Sequence, residues 1–394
     1  MTTNNARRLG LGRRDFLRRA AVGLGAVAVG PQLLAACGDD DDAEQTSSAS
    51  STSTAAGGSG TALTHSNWPA YIDEETVELF REETGIDLRY TEDFNDNTEY
   101  FAKIQPDLSA GRNPGADIIT PSYWLAGRLI SLGWVEEIPF DDIPNASNLV
   151  PELQNPDWDP DGTFSLPWQS GMTGIAYNIA ETGRELGSVE DLFDPEFKGK
   201  IGMLTEMRDT VGLVMLATGK DPAEPTFDDA AEAFDRIDEA KSNGQIRQFT
   251  GNDYMDDLAS GNFVACIGWS GDISQLALDN PDLRFVIPEE GGMRWSDTMV
   301  LPAGAENVAN AATWMDYVYD PENAARITTF VGYNSPVAGV REILAAGDEF
   351  QKGLAESPLL FPDDATNSRV KVFASLDEEA ETQFDERFAE IVGA

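Results

Sequence analysis

The sequence predicts a folded α/β protein: the order of its segments supports the α/β class, and its composition supports a folded chain. From Leu63 onward, short apolar runs of strand length alternate with segments whose apolar residues recur at helical spacing. Such alternation is typical of α/β folds rather than of β-sandwiches or helical bundles. The composition agrees, because 41% of the 394 residues are hydrophobic and 24% are charged, which is ordinary for a folded soluble protein.

The first elements form a βαβ unit. Residues 63–66 are predicted as the first strand, and residues 74–84 place Val77, Leu79 and Phe80 near one face of a helix. Gly85 follows at a position where a left-handed residue commonly ends a helix, and residues 86–90 resume as a strand.

The rest of the body continues this alternation without an internal repeat. Residues 138–162 are rich in proline, asparagine and aspartate, which predicts an extended surface connection. The remaining predicted strands are residues 117–120, 164–168, 174–178, 198–204, 263–269, 284–287 and 298–301. The remaining predicted helices are residues 101–110, 124–132, 209–218, 228–240, 307–319 and 321–330.

The N-terminus has the order of an export signal. Arg13 and Arg14 precede Phe16 and a mild apolar run, which favours the twin-arginine route for residues 1–36. The run ends Leu34-Ala35-Ala36-Cys37, which resembles the bacterial lipobox and predicts Cys37 as a lipid anchor outside the cytoplasmic membrane. A simple cleaved secretory peptide with an incidental cysteine is the alternative.

Residues 37–62 are predicted to tether the folded part of the chain to its anchor. The tether is rich in Ser, Thr, Ala and Gly and has almost no large apolar side chains, which predicts a flexible segment.

The chain is strongly acidic. Asp and Glu total 69 against 27 Lys and Arg, a net charge of −42, which argues against nucleic acid as a partner. Most of these charges indicate a very soluble or salt-adapted surface.

Few residues are present that bind metals or act as nucleophiles. The chain has one histidine, His65, and two cysteines, Cys37 and Cys266, so zinc sites, iron–sulfur clusters, a His-based triad and a disulfide framework are poorly supplied. We expect His65 to be packed within the first strand and Cys266 to lie in the core. Asp253, Asp256 and Asp257 lack the spacing of a calcium loop, so neither a metal nor a cofactor is expected.

Aromatic residues recur just beyond the predicted strands, beside small polar or acidic residues. Loops at the carboxyl ends of such strands are where open α/β sheets bind ligands. A single aromatic residue there more often covers the core, but several together indicate the walls of a ligand site. The segments are Asn67-Trp68-Pro69-Ala70-Tyr71, Pro121-Ser122-Tyr123-Trp124, Gly268-Trp269-Ser270-Gly271-Asp272 and Trp295-Ser296-Asp297.

In that order, these segments resemble the extracytoplasmic spermidine/putrescine-binding proteins of polyamine ABC transporters, over residues 63–340. Further supporting stretches are Phe80-Arg81-Glu82-Glu83-Thr84-Gly85-Ile86, Asp117-Ile118-Ile119-Thr120-Pro121-Ser122, Glu196-Phe197-Lys198-Gly199-Lys200 and Val331-Gly332-Tyr333-Asn334-Ser335-Pro336. The run Pro288-Glu289-Glu290-Gly291-Gly292, which leads into Trp295, is the most specific of them.

The resemblance implies a type II periplasmic-binding-protein fold, with two α/β lobes, a hinge and a central ligand cleft. The lobes are discontinuous: residues 63–171 with 297–335 form lobe 1, and residues 172–296 with 336–394 form lobe 2. We expect the chain to cross between them near residues 169–172 and 297–298, and again after Tyr333.

The resemblance also implies which residues bind the ligand. Those that fall on motif positions lining the family's cleft are Trp68, Tyr71, Ser122, Trp124, Trp269, Trp295, Asp297 and Tyr333. The family's acidic turn in the second lobe is one residue shorter here, where Glu206 and Asp209 are the best candidates. Asp209 could instead cap the following helix, and Arg208 could neutralise either acid.

The expected function is therefore capture of a polyamine, spermidine or putrescine, by a monomeric lipid-anchored subunit. The subunit would deliver its ligand to a membrane permease with an attached ATPase and would catalyse nothing. Ammonium groups need carboxylates and the methylene chain needs flat apolar walls, which Asp, Trp and Tyr supply. Alternatives are another solute, such as a sugar or an amino acid, or a secreted carboxylate glycosidase, for which no acid pair of defensible spacing is found.

Overall fold

The structure is a computed structural model that describes residues 61–393. The predicted signal peptide, the predicted anchor Cys37 and the predicted tether up to residue 60 lie outside the described residues. Within residues 61–393, no helix combines the length and the apolar character needed to cross a membrane. The same residues hold no group of three or more His, Cys, Asp or Glu side chains that could bind a metal ion.

Residues 61–393 contain eleven strands. They are β1 (Ala62–Asn67), β2 (Asp87–Glu92), β3 (Ile118–Ile119), β4 (Val135–Glu136), β5 (Ser165–Asn178), β6 (Ile201–Leu204), β7 (Ile246–Thr250), β8 (Ala265–Trp269), β9 (Leu283–Val286), β10 (Gly292–Pro302) and β11 (Val370–Lys371). The main order across the sheet is β2-β1-β3-β10-β5-β8-β6-β7. Strands β4 and β11 pair with β10, and β9 pairs with β5.

Fourteen α-helices accompany these strands within the described residues. They are α1 (Glu74–Thr84), α2 (Asn97–Leu108), α3 (Tyr123–Ser131), α4 (Ile179–Thr182), α5 (Met207–Ala217), α6 (Phe227–Ser242), α7 (Tyr254–Ala259), α8 (Ser270–Asp279), α9 (Val308–Val318), α10 (Pro321–Val331), α11 (Val340–Ala346), α12 (Glu349–Ala355), α13 (Asp364–Asn367) and α14 (Glu378–Val392). Short 3-10 turns between Phe140 and Leu153 occupy the predicted surface connection.

Two groups of parallel strands flank a central antiparallel pair. In the group that we call the first half of the sheet, β1 pairs in parallel with both β2 and β3. In the second half, β6 pairs in parallel with both β7 and β8. The long strands β5 and β10 run antiparallel to each other between the halves, where β10 contacts β3 and β5 contacts β8.

The central pair differs from the sequence prediction. We expected two strands, residues 164–168 and 174–178, with a break over Gln169–Gly171, but β5 is continuous because these residues pair with Trp295–Asp297 of β10. Strand β10 likewise begins at Gly292 rather than at residue 298. Nearly all of β5 is buried, so it lacks the alternation of apolar and polar residues that identifies a half-exposed strand.

The predicted βαβ unit is confirmed, since α1 has the predicted bounds and β1 and β2 are parallel.

The ends of the helices are set by capping residues. Asp73 accepts the Thr76 N–H at the start of α1, and Gly85 ends it with a φ of 71°. Helix α2 begins at Asn97, four residues earlier than predicted, because Asp96 caps it by accepting the Glu99 N–H.

The C-terminal region, for which the sequence analysis made no element prediction, supports the second half of the sheet. Helix α14 buries Phe384, Phe388 and Ile391. The Phe384 ring lies 5.6 Å from the Phe234 ring of α6, and the Phe388 ring lies 6.1 Å from that of Phe249 in β7. These apolar contacts hold α14 in place although its outer face is strongly acidic.

His65 and Cys266 are core residues, as predicted. The Trp314 indole donates to Nδ1 of His65 at 3.0 Å, so the imidazole is neutral with its proton on Nε2, which contacts the Thr120 hydroxyl at 2.7 Å. Burial lowers the pKa of His65 to about 3. Cys266 is fully buried in β8, and burial raises the pKa of its thiol.

Candidate functional site

A narrow cavity lies where loops from both halves of the sheet meet. Its volume is about 40 Å³. All ten residues that the sequence predicts for ligand binding line it: Trp68, Tyr71, Ser122, Trp124, Glu206, Asp209, Trp269, Trp295, Asp297 and Tyr333. Lining residues that were not predicted as ligand contacts are Pro69, Tyr123, Arg208, Asn252, Asp272, Met293, Arg294 and Phe373.

Asp297 lies within β10, where the register with β5 shifts. Its Oδ1 accepts the Ser122 hydroxyl at 2.6 Å, and its Oδ2 accepts the Tyr71 hydroxyl at 2.7 Å. Burial raises the pKa of Asp297 to about 7, although the two hydrogen bonds oppose that shift. The carboxyl group is therefore oriented by neutral donors.

Asp209 lies in the first turn of α5 and does not cap that helix. Its Oδ1 accepts the Thr173 hydroxyl at 2.7 Å, and its Oδ2 accepts the Trp269 indole N–H at 3.0 Å. Burial raises the pKa of Asp209 to about 6, against the opposing effects of these bonds and of the Arg208 charge. Of the two roles considered for Asp209, the structure supports the one in the cavity wall.

Glu206 immediately precedes α5. It accepts hydrogen bonds from Asn97, which follows β2 of the first half of the sheet. Its Oε1 accepts the Asn97 backbone N–H and the Asn97 side-chain amide, each at 2.7 Å. Burial raises the pKa of Glu206 well above its ordinary value, and the nearby Asp96 and Asp209 add to the shift. The sequence did not identify Asn97 as a site residue, because nothing in the adjacent sequence distinguishes it from other residues at helix starts.

Asp272 is a fourth buried carboxylate of the cavity, and the sequence analysis did not select it. It lies in the first turn of α8, three residues after Trp269. Its Oδ1 accepts the Tyr333 hydroxyl at 2.6 Å, and its Oδ2 accepts from Tyr254 at 2.9 Å and from Asn252 at 3.2 Å. Burial raises its pKa to about 6. Asp272 could have been identified from the sequence, because it lies in the same strand-end segment as Trp269.

Aromatic rings enclose the space between these acids. The Trp269 ring lies 5.9 Å from Trp68 and 6.2 Å from Trp295, and the Tyr333 ring lies 5.3 Å from Trp295 and 5.4 Å from Tyr71. All four pairs meet edge to face or nearly so, which is a favoured geometry. The rings thus form a continuous apolar wall.

Two glycines allow this wall to close. A Cβ atom on Gly171 would lie 2.4 Å from the Trp295 ring, and one on Gly271 would lie 2.4 Å from the Tyr333 ring. Neither distance is compatible with a side chain, so both positions require glycine for close packing.

Arg208 differs from the prediction, whereas Trp124 lines the cavity as expected. The Arg208 guanidinium carbon lies 3.9 Å from the centre of the Trp124 ring, and Nη2 donates to Glu381 of α14 at 3.0 Å. Arg208 was expected to neutralise Glu206 or Asp209, but its ion pair is with Glu381. The Trp124 ring therefore makes a cation–π contact with Arg208 at the edge of the cavity.

The cavity suits a cationic ligand with an apolar stem. Glu206, Asp209, Asp272 and Asp297 are all buried, and none takes part in an ion pair among residues 61–393. An ammonium group would supply the positive charge that these carboxylates lack, together with further N–H donors. The rings would contact methylene groups and the faces of the cation.

Comparison with known proteins agrees with this chemistry. The family model for bacterial extracellular solute-binding proteins matches residues 75–356. The chain is 30% identical to the putrescine-binding periplasmic protein PotF of Escherichia coli over 327 residues, which covers 78% of this chain and 84% of that protein. It is 26% identical to spermidine/putrescine-binding periplasmic protein 1 of Haemophilus influenzae, over 75% of this chain and 79% of the relative.

Solved structures give the same result. A putative spermidine/putrescine ABC transporter protein from Listeria monocytogenes superposes with a TM-score of 0.75 at 26% identity, over 84% of this chain and 99% of that one. The Tp0655 (TpPotD) lipoprotein of Treponema pallidum, at 18% identity, shares the fold with a TM-score of 0.70 over 84% and 100% of the two chains.

These comparisons confirm three predictions: the two-lobed fold, the resemblance, and a solute-binding subunit of an ABC transporter rather than an enzyme. They give no support to a glycosidase. They also agree with a site of action outside the cytoplasm, because the matched relatives are periplasmic. By its sequence and its fold, the chain belongs to the family of bacterial extracellular solute-binding proteins.

Proposed function

We propose that this protein captures a polyamine outside the cytoplasmic membrane and delivers it to an ABC permease with its ATPase. The observation that carries the proposal is the set of four buried carboxylates, without ion-pair partners in the described chain, inside a cavity walled by tryptophan and tyrosine. The relatives named as putrescine- or spermidine-binding proteins support the same ligand class.

The physical reason is the cost of burying negative charge. Ser122, Thr173, Tyr71 and Tyr333 donate hydrogen bonds to the acids, but they do not neutralise them. A buried charge is costly unless it is paired, so the empty site favours protonated carboxyl groups. A ligand with two or more ammonium groups would pair with the acids in their charged form, and this differential stability drives binding.

Lobe movement would accompany capture. The proposed lobes are residues 63–171 with 297–335 and residues 172–296 with 336–394, with crossings near residues 169–172 and 297–298 and again after Tyr333. The two long strands β5 and β10 and the pairing of Ser170 with Asn334 support these positions, because each connects the two halves of the sheet. A ligand enclosed by both lobes would bias the open–closed equilibrium toward closure.

Export and anchoring complete the proposal. Residues 1–36 would direct the chain to the twin-arginine route, and the Cys37 sulfur would carry the lipid that holds the monomeric subunit at the membrane, with residues 38–62 as the tether. Metabolic labelling with a tritiated fatty acid tests this. We expect label in the wild-type protein and none in Cys37→Ser, whereas unlabelled wild type would contradict the anchor.

The ligand is tested by isothermal titration of the purified protein with putrescine, spermidine and spermine, at moderate and at high salt. We expect one-to-one saturable binding that survives high salt, because attraction to the acidic surface alone is screened. Glucose and glutamate serve as the competing solute classes. Weak multi-site binding that salt abolishes, or saturable binding of glucose or glutamate alone, would overturn the polyamine proposal.

A further inference from the structure

The loop between β2 and α2 belongs to the first half of the sheet and contacts loops of the second half. Three consecutive residues, Asn95, Asp96 and Asn97, bond to the loops that follow β6 and β7. We call this segment the clasp. Asp96 and Asn97 are buried, and a Cβ atom on the opposing Gly251 would lie 2.2 Å from the Asn95 carbonyl oxygen, so the two backbones are in close contact.

The contact with the loop after β7 uses Asn95. Its carbonyl oxygen accepts the Asn252 N–H at 2.9 Å, and its Oδ1 accepts the Asp253 N–H at 3.2 Å. Asn252 in turn donates its side-chain amide to Asp272 at 3.2 Å. Asn95, at one end of the clasp, is therefore linked to the cavity acid Asp272 through a single intervening residue, Asn252.

The contact with the loop after β6 uses Asp96 and Asn97. Asp96 Oδ2 accepts the Thr205 hydroxyl at 2.7 Å, and Asn97 makes the two bonds to Glu206 described above. Asn97 also bonds Ser122 in both directions, as donor from Nδ2 at 2.9 Å and as acceptor at Oδ1 at 3.0 Å. Ser122 donates to Asp297, so Asn97 links Glu206, which follows β6 of the second half, to Asp297 of the central strand β10.

We propose that the clasp holds the closed state of the protein and that Asn97 is its positioning residue, which couples the charge of the cavity acids to contact between the halves of the sheet. This inference rests on the proposed function. A cationic ligand stabilises the charged form of Glu206, and a charged carboxylate accepts hydrogen bonds about twice as strongly as a neutral group. Asn97 occupies Oε1 of Glu206, which leaves Oε2 for the ligand.

Binding kinetics test the coupling. Titration and stopped-flow tryptophan fluorescence would compare wild type with Asn97→Ala, the isosteric Asn97→Asp, and the control Asn323→Ala, whose amide donates to the Tyr317 carbonyl away from the cavity. We expect Asn97→Ala to bind putrescine or spermidine at least tenfold more weakly, mainly through faster dissociation. Asn97→Asp should be weaker still, because it places a carboxylate against Glu206, while Asn323→Ala should match wild type.

A double-mutant cycle separates coupling from a general structural role. If Asn97 acts through Glu206, the affinity loss in Asn97→Ala combined with Glu206→Gln should be clearly smaller than the product of the single losses. Thermal melts identify any variant that fails to fold. Wild-type affinity in Asn97→Ala, or independent effects of the two substitutions, would overturn the proposal.

A ligand-independent measurement keeps the clasp testable if no polyamine binds. Hydrogen exchange of the unliganded protein should show less protection of residues 205–206 and 251–253 in Asn97→Ala than in wild type or Asn323→Ala. Loss of that protection with no polyamine binding would refute the proposed ligand and retain the clasp. Equal protection in all three proteins would refute the clasp itself.

Discussion

Trp269 donates its indole N–H to Oδ2 of Asp209 at 3.0 Å, so a residue that forms the cavity wall also orients one of the cavity's acids. The Trp269 ring thus forms part of the cavity wall, while its nitrogen donates a hydrogen bond to Asp209. A substitution can separate these two roles. Trp269→Phe keeps most of the apolar wall and removes the donor. We expect a loss of affinity of about 1–3 kcal/mol, the cost of leaving a buried acceptor without its partner.

Titration calorimetry would measure this loss. Trp295→Phe is the matched control, because the Trp295 nitrogen donates to the Thr173 hydroxyl rather than to a carboxylate. The loss should be smaller in Trp295→Phe. Equal losses in the two variants would show that the Asp209 bond has no special role.

Asp297, whose carboxyl group is oriented by Ser122 and Tyr71, should contribute more to affinity than any one ring, because a charge-assisted hydrogen bond is stronger than a cation–π contact. Asp297→Ala would leave a bound ammonium group without its partner, and we expect a loss of about 2–5 kcal/mol. The exposed Asp279 at the end of α8 provides the control Asp279→Ala, which removes the same charge from the surface. Affinity that stays unchanged in Asp297→Ala would exclude this aspartate from the site.

Ligand affinity should rise between pH 5 and pH 8. Burial raises the pKa of Asp209 and Asp272 to about 6 and that of Asp297 to about 7, so these groups hold protons in the empty folded protein at mildly acidic pH. A dication binds the ionised groups, so it must release those protons, and its affinity grows as pH rises through 6–7. Titrations in buffers of different ionisation enthalpy would detect the released protons. A flat affinity profile would contradict the raised pKa values.

The unliganded protein should follow the opposite trend. Because the three aspartates ionise near pH 3.8 when exposed, the folded state binds more protons than the unfolded state between about pH 4 and pH 7. These groups therefore lower the free energy of unfolding as pH rises through that window. Urea denaturation at pH 5 and pH 8 would measure it, and Asp297→Asn should make the dependence weaker.

Gly271→Ala should damage the site through Tyr333. The added Cβ atom would lie 2.4 Å from the Tyr333 ring, so the ring must move away from its hydrogen bond to Asp272. We expect destabilisation of about 1–3 kcal/mol, typical of overpacking, together with weaker ligand binding. The exposed helical Gly353 is the control, because it has no neighbour within 4 Å and alanine there should stabilise by about 0.5–1 kcal/mol. Unchanged affinity in Gly271→Ala would show that Tyr333 does not position Asp272.

Prediction of the cavity walls from the sequence succeeded where a residue's position along a strand decides its role. Trp68 and Ser122 follow β1 and β3, and Trp269 is the last residue of β8; a ligand site at strand ends is a general property of α/β sheets. Asp272 and Asn97 were missed because their roles depend on partners in other segments, such as Tyr333 and Glu206. The continuity of β5 was missed for a similar reason, since its central residues are defined by pairing with β10.

The sequence by itself determined most of the elements before residue 332, the family and the residues at the strand ends, because helical periodicity, capping residues and motif order are local properties of a chain. Only the tertiary structure decided which carboxylates lose their water and which donors meet them. Tyr71 and Asp297 are 226 residues apart in the chain and 2.7 Å apart in space. Desolvation and hydrogen bonding arise from such distant neighbours, so the acidity of the cavity is a property of the fold and not of any one segment.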